Sequence, residues 1–331
     1  MKRALVLAAV GLAAVASCKT KHAPGELIVA IDSDLTPGVD FDELHIDVIT
    51  ATGPSKLDTI KEFGQRSQPN SFPMTFAIVS NGDPTTKVQI RVAAGLSTLP
   101  GGHSVVGVPL LLREVTTTVP ADRVALLRIH LEWICIGYAK QNPAPDTYVE
   151  GNCPVDGLTC LGGECVDFAL DSATFPDYDD ALVFGGGHAG AGDGTCFDTL
   201  ACFAGAALVQ PDASCTIAKP ASDAAHTNIA LVSARCQGGI CEAGSDTCLV
   251  PLDNATAAGW TEVGGRLHLP PAACRKASGI LVSTSCPTKA ASMPTCGPWS
   301  AIKSPAGTFD APLPDGAVPR GGACSADAGS D

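Results

Sequence analysis

The sequence predicts an all-β protein in which a β-sandwich is followed by a disulfide-rich module and a second, smaller β-rich domain. Three observations predict it. Apolar and polar residues alternate with period two through the first third of the chain, turn-forming clusters recur between the alternating runs, and cysteines are absent between Cys18 and Cys135 but frequent afterwards.

The alternation is clearest where Val88, Ile90 and Val92 oppose Lys87, Gln89 and Arg91, and where Leu127, Ile129, Leu131 and Trp133 oppose Arg128, His130 and Glu132. A strand sends successive side chains to opposite faces, so these runs read as half-buried strands. Similar runs lie at Glu26 to Ile31, Leu44 to Ile49, Met74 to Ile78 and Ser104 to Leu112, separated by Asn81-Gly82-Asp83-Pro84 and Pro100-Gly101-Gly102. Six or seven short strands within residues 26–134 predict an immunoglobulin-like or transthyretin-like β-sandwich. Such a scaffold does not by itself identify a function.

Residues 135–166 change character, with Cys135, Cys153, Cys160 and Cys165 and little apolar periodicity. Four cysteines allow three pairings, and spacing does not choose among them. Structural zinc sites usually carry a close pair of ligands such as C-x2-C, which this chain lacks, so disulfides are expected and no metal is. A second β-rich domain, residues 167–300, carries Cys196, Cys202, Cys215, Cys236, Cys241, Cys248, Cys274, Cys286 and Cys296. Nine is odd, and Cys324 in the tail is the expected tenth partner. Asn228 to Ser233, Gly265 to Leu269 and Ile280 to Ser283 read as strands, and Phe197 to Leu208 as one short helix. Residues 301–331, rich in Pro, Gly, Ala and Asp, read as a disordered tail.

Composition agrees with an exported, cross-linked protein. Only 5% of residues are aromatic, so the core lacks its largest apolar side chains and gains from covalent staples, each typically adding about 2–4 kcal/mol. Disulfides at this density persist in oxidising compartments. A formal charge of -13 without a Lys/Arg cluster excludes a nucleic-acid partner.

The N-terminus supplies an address. Lys2 and Arg3 precede an apolar and small-residue run, Ala4 to Ala16, which is a signal-peptide layout over residues 1–17 and too short to span a bilayer. Val15-Ala16-Ser17-Cys18 resembles the lipobox of bacterial lipoproteins, with valine where leucine is commoner. That resemblance implies lipid attachment at Cys18, a tether over 18–25 and, with Lys19 in place of an aspartate, the outer rather than the inner membrane. Parity agrees: 15 cysteines less one leave 14 that can all pair.

The segments Glu26-Leu-Ile-Val-Ala-Ile-Asp32 with Asp34, CPVDGLTCLGGECVD from Cys153 and CPTKAASMPTCGPWS from Cys286 resemble a group of Cys-rich lipoproteins common in myxobacteria and their relatives. The resemblance implies an outer-membrane location and this order of domains, and says nothing about activity.

Chemistry-bearing motifs are weak. Gly185, Gly187 and Gly190 fit G-x-G-x-x-G after the strand-like Ala181-Leu-Val-Phe184, but no βαβ unit follows, so a connector is expected and no cofactor. No G-x-S-x-G elbow or H-E-x-x-H pair marks a hydrolase. The seven scattered histidines, among them His45 and His130 on polar strand faces, read as surface residues. The carboxylates Asp32, Asp34, Asp40 and Asp42, and Asp177, Asp179 and Asp180, read as solvated loop residues, with calcium the alternative. Trp133 belongs to the core; Trp260 and Trp299, near turns, are the candidates for stacking on a glycan. The sequence thus predicts a non-enzymatic, lipid-anchored envelope protein, structural or interacting with an envelope protein. Glycan binding and hydrolysis are the alternatives.

Overall fold

The computed structural model describes residues 25–50, 57–63, 71–96, 108–141, 149–185, 196–221, 224–235, 237–255, 258–297 and 299–300. Seven strands build the N-terminal part: β1 (Glu26–Ser33), β2 (Glu43–Thr50), β3 (Leu57–Glu62), β4 (Met74–Val79), β5 (Lys87–Leu96), β6 (Val108–Thr118) and β7 (Val124–Leu131). They form two sheets, β4-β1-β7 and β3-β2-β5-β6, antiparallel except that β1 and β7 run parallel. An immunoglobulin sandwich places its first strand with the second, fourth and fifth. Here the first lies between the fourth and seventh, which is not the immunoglobulin order.

Period-two alternation explains the packing. Leu27, Val29 and Ile31 of β1 and Ile129 and Leu131 of β7 meet Leu44, Ile46 and Val48 of β2 and Val88, Ile90 and Val92 of β5 in one cluster, none more than 2% exposed. Full burial of each such side chain contributes roughly 1.5–3 kcal/mol. The sequence missed β3, whose Asp58, Lys61 and Glu62 dilute its apolar signal. It also extended the last strand too far. β7 stops at Leu131, and Trp133 opens a 3-10 turn, Trp133–Cys135, because the Asp34 carboxylate accepts the Trp133 backbone N–H at 2.6 Å.

The expected disulfide chemistry is present. Two hairpins follow the sandwich: β8 (Ala139–Gln141) with β9 (Val149–Gly151), and β10 (Leu158–Leu161) with β11 (Glu164–Asp167). Gly162 and Gly163, at φ +63° and +74°, make the two-residue turn of the second, where side chains other than glycine are strained. Of the three possible pairings, Cys135–Cys160 and Cys153–Cys165 form. Cys160 and Cys165 face each other across the hairpin, yet each bonds outward and ties it to the chain before it.

The rest of the described chain comprises α1 (Asp180–Phe184), α2 (Thr199–Phe203), β12 (Ala207–Val209), β13 (Thr216–Ala218), β14 (Asn228–Ala234), β15 (Ile240–Cys241), β16 (Thr247–Leu252), β17 (Thr261–Val263), β18 (Arg266–His268), α3 (Pro271–Lys276) and β19 (Gly279–Ser283). Its sheets are β12-β19-β14-β16-β15 and β13-β18-β17. The apolar run Ala181 to Phe184, which reads as a strand, is one turn of helix because Asp179 caps the Ala181 N–H. The expected helix from Phe197 to Leu208 covers only α2 before giving way to β12. Four bridges close this part: Cys196–Cys296, Cys202–Cys286, Cys215–Cys274 and Cys241–Cys248. Its apolar residues Ile217, Ile229, Leu231, Val250, Trp260 and Leu267 belong to the same buried cluster as the sandwich core.

Candidate functional site

The site arises where the outer face of the β4-β1-β7 sheet meets the C-terminal part. Along β1, Ile28, Ala30 and Asp32 point opposite to the core residues. The parallel register sets Asp32 beside His130 and Ala30 beside Arg128. Asp32 therefore accepts from His130 Nδ1 through one oxygen and from Arg128 through the other, both at 2.7 Å. His130 Nε2 faces Asp34 Oδ2 at 3.9 Å. These groups, with Pro251, Leu252 and Asp253 of the C-terminal part, line a cavity of about 200 Å³.

The C-terminal part brings a matching ion pair. Lys289, 4% exposed, reaches the Asp253 carboxylate, and its backbone carbonyl accepts the Asn254 N–H at 2.8 Å. Arg128 also donates to the backbone carbonyls of Leu182 and Ala291. Burial raises the cost of ionising Asp32, but the charges of His130 and Arg128 outweigh it and hold the carboxyl well below the usual range. Burial likewise opposes the His130 cation, and the charge and hydrogen bond of Asp32, reinforced by Asp34, raise its pKa well above the ordinary imidazole value. The cluster thus sets three carboxylates, Asp32, Asp34 and Asp253, against three cations, Arg128, His130 and Lys289. The carboxylates on either side of its ring favour the imidazolium form of His130.

The structure departs from the sequence-based reading at two places. His130 does not stand on a free surface, since the C-terminal segments cover the polar face of its strand; His45 is also largely covered and bonds Asp58 at 2.6 Å. The carboxylates of the first cluster are not all solvated. Asp34 is 5% and Asp40 3% exposed, because Asp34 holds Trp133 and Asp40 accepts the N–H groups of Thr36 and Gly239 at 2.8 and 2.9 Å. Among the described residues no group of three His, Cys, Asp or Glu side chains is arranged to hold a metal ion.

A second buried carboxyl adjoins this cluster. Glu132, 2% exposed, accepts the Gly162 N–H at 2.6 Å, and its other oxygen has no hydrogen-bond partner. Burial pushes its pKa up to about 7, against the pull of His130, the Gly162 N–H and Arg113. Burial also lowers the Arg113 pKa, which Glu132 partly offsets.

The glycan candidates do not flank a groove. Trp260 is 1% exposed and its ring lies in the main core, so it cannot stack on a sugar; Trp299 is half-buried against the same cluster. In G-x-G-x-x-G, helix α1 rather than a strand precedes Gly185, and Gly187 and Gly190 lie outside the described residues. The lipid candidate Cys18, the cysteines Cys236 and Cys324 and the tail 301–331 also lie outside them. No local pattern marks Arg128, Asp253 or Lys289 as members of the cluster, because they come from separate stretches of chain. No family model, curated protein or solved structure matches this chain.

Proposed function

We propose that this protein is a non-enzymatic, lipid-anchored lipoprotein of the bacterial cell envelope, a rigid structural or interaction module held at the outer membrane through Cys18. The observation that carries the reading is the covalent framework: twelve of the cysteines that follow Cys18 pair into six bridges, which persist in an oxidising compartment. No helix among the described residues is long and apolar enough to cross a membrane, so a lipid on Cys18 supplies the attachment in this reading.

The candidate site agrees with a structural role. Its charges are mutually satisfied, they join β1 and β7 to the C-terminal part, and His130 is engaged as a cation. Intact-mass measurement on the membrane fraction, comparing the native chain with Cys18→Ser before and after reduction, tests the proposal. A diacyl mass that disappears with Cys18→Ser is expected. A native chain without lipid mass overturns the anchor, and free thiols at most other cysteines overturn the framework.

A further inference from the structure

We propose that β4 is an assembly edge, pairing with β4 of a second copy of this chain. Each of the other sheet edges of the sandwich is covered or charged. Along β6, Thr116 donates to the Phe168 carbonyl and Leu170 donates to that of Thr116; along β7, Leu126 donates to Pro176 and Tyr178 to Val124. The β3 edge carries Asp58, Lys61 and Glu62. Covering or charging an edge is how sheets avoid pairing with other chains. In β4, Met-Thr-Phe-Ala-Ile-Val contains neither a charge nor a proline.

The backbone of β4 is ready to pair. Ser80 donates to Gly25 at 2.8 Å, which turns the N–H and C=O groups of the even-numbered positions towards β1 and those of Thr75, Ala77 and Val79 outward. Among the described residues no strand lies on that side. The edge borders an open cleft of about 420 Å³ lined by apolar side chains, Phe76, Ile78, Val48 and Val88 among them, and also by the polar Asp83 and Thr86.

A strand that fills this position needs apolar side chains at every second residue, and β4 has them in Met74, Phe76 and Ile78. A twofold axis through Phe76 sets Phe76 against its copy, Met74 against Ile78 and Thr75 against Ala77, and keeps inward residues on one face of a continuous six-stranded sheet. An uncharged seam also lets two chains of formal charge -13 meet without opposing carboxylates. The inference goes beyond the anchoring proposal and does not depend on it, since it concerns the folded chain without lipid.

Sedimentation velocity on the oxidised Cys18→Ser chain over a concentration series tests it. A monomer–dimer equilibrium is expected. T75K/A77K places two Lys–Lys pairs across the seam and T75E/A77E two Glu–Glu pairs, so each alone weakens association by at least about tenfold. Mixing the two restores a heterodimer. A wild-type chain that stays monomeric at every concentration, or a mixture that associates no more than its components, overturns the proposal. Hydrogen exchange in the 74–80 peptide of the wild-type chain gives a reading free of mutation. Slowing with concentration supports the pairing, and concentration-independent exchange overturns it.

Discussion

The sandwich and the part that follows it reach stability by different routes. The described strands of residues 25–134 are six to eleven residues long and carry no cysteine, and their alternating apolar faces supply most of the shared core without a cross-link. From Cys135 onward the described strands are two to seven residues long, and six bridges among the described residues hold them. Strand length decides which route is open. A long alternating strand presents several apolar side chains to one face, whereas three residues present one or two and gain too little burial to offset their lost conformational entropy.

Reduction should separate the two parts most sharply. Each bridge contributes about 2–4 kcal/mol, so full reduction is expected to abolish amide protection in β14, β16 and β19. Protection in β2 and β5 should outlast it. Simultaneous loss in both, followed by hydrogen exchange during reduction, would mean that the sandwich too depends on the staples.

Trp133 tests the seam between the parts. Fully buried, it donates from Nε1 to the Gln237 carbonyl at 2.6 Å and lies beneath the Lys276 ammonium, 4.7 Å from the ring centroid. A Cβ on Gly238, at φ +104°, would stand 2.8 Å from its ring. Trp133→Ala is expected to cost about 3–5 kcal/mol in denaturant unfolding. A loss below 1 kcal/mol would show that the seam carries little of the stability.

Glu132 gives the comparison a pH dependence. Its pKa rises from an ordinary unfolded value to about 7 in the fold, so the native state holds more protons between those values, and stability falls as pH rises through that window. The full loss is about 3 kcal/mol. Glu132→Gln should flatten this decline between about pH 4.5 and 8 in urea titrations. An unchanged slope would assign the decline to other groups. The Asp58 carboxylate, 60% exposed, marks the bottom of the scale: despite its bond to His45, Asp58→Ala is expected to change stability by less than about 1 kcal/mol. A larger loss by thermal unfolding would show the β2–β3 edge to be a stronger clamp than its exposure implies.

The same contrast governs what the sequence could tell. Six of the seven sandwich strands were legible because their alternation is local, although β6 runs on past the expected end at Leu112 to Thr118; β3 was not, because an edge strand needs less apolar surface. In the C-terminal part Asn228 to Ser233 and Ile280 to Ser283 read correctly, but Thr247 to Leu252 did not, its apolar run being interrupted by Pro251. The candidate site was the least legible. Asp32 and His130 are neighbours only because β1 and β7 lie side by side, and Asp34 and Asp40 are buried only because Trp133 and Gly239 arrive from far along the chain. Polar residues on a strand read as solvated unless something later covers them, and nothing local announces the cover.

The order of the bridges sets a timetable for maturation. Cys241–Cys248 lies within Cys215–Cys274, that within Cys202–Cys286, and that within Cys196–Cys296, as nested rings. A chain that emerges N-terminus first exposes Cys196, Cys202 and Cys215 long before their partners, and oxidation in order of arrival would join the wrong thiols. Correct assembly requires those three to stay reduced, or to be reshuffled, until Cys274, Cys286 and Cys296 arrive. The innermost ring can close first and the outermost last.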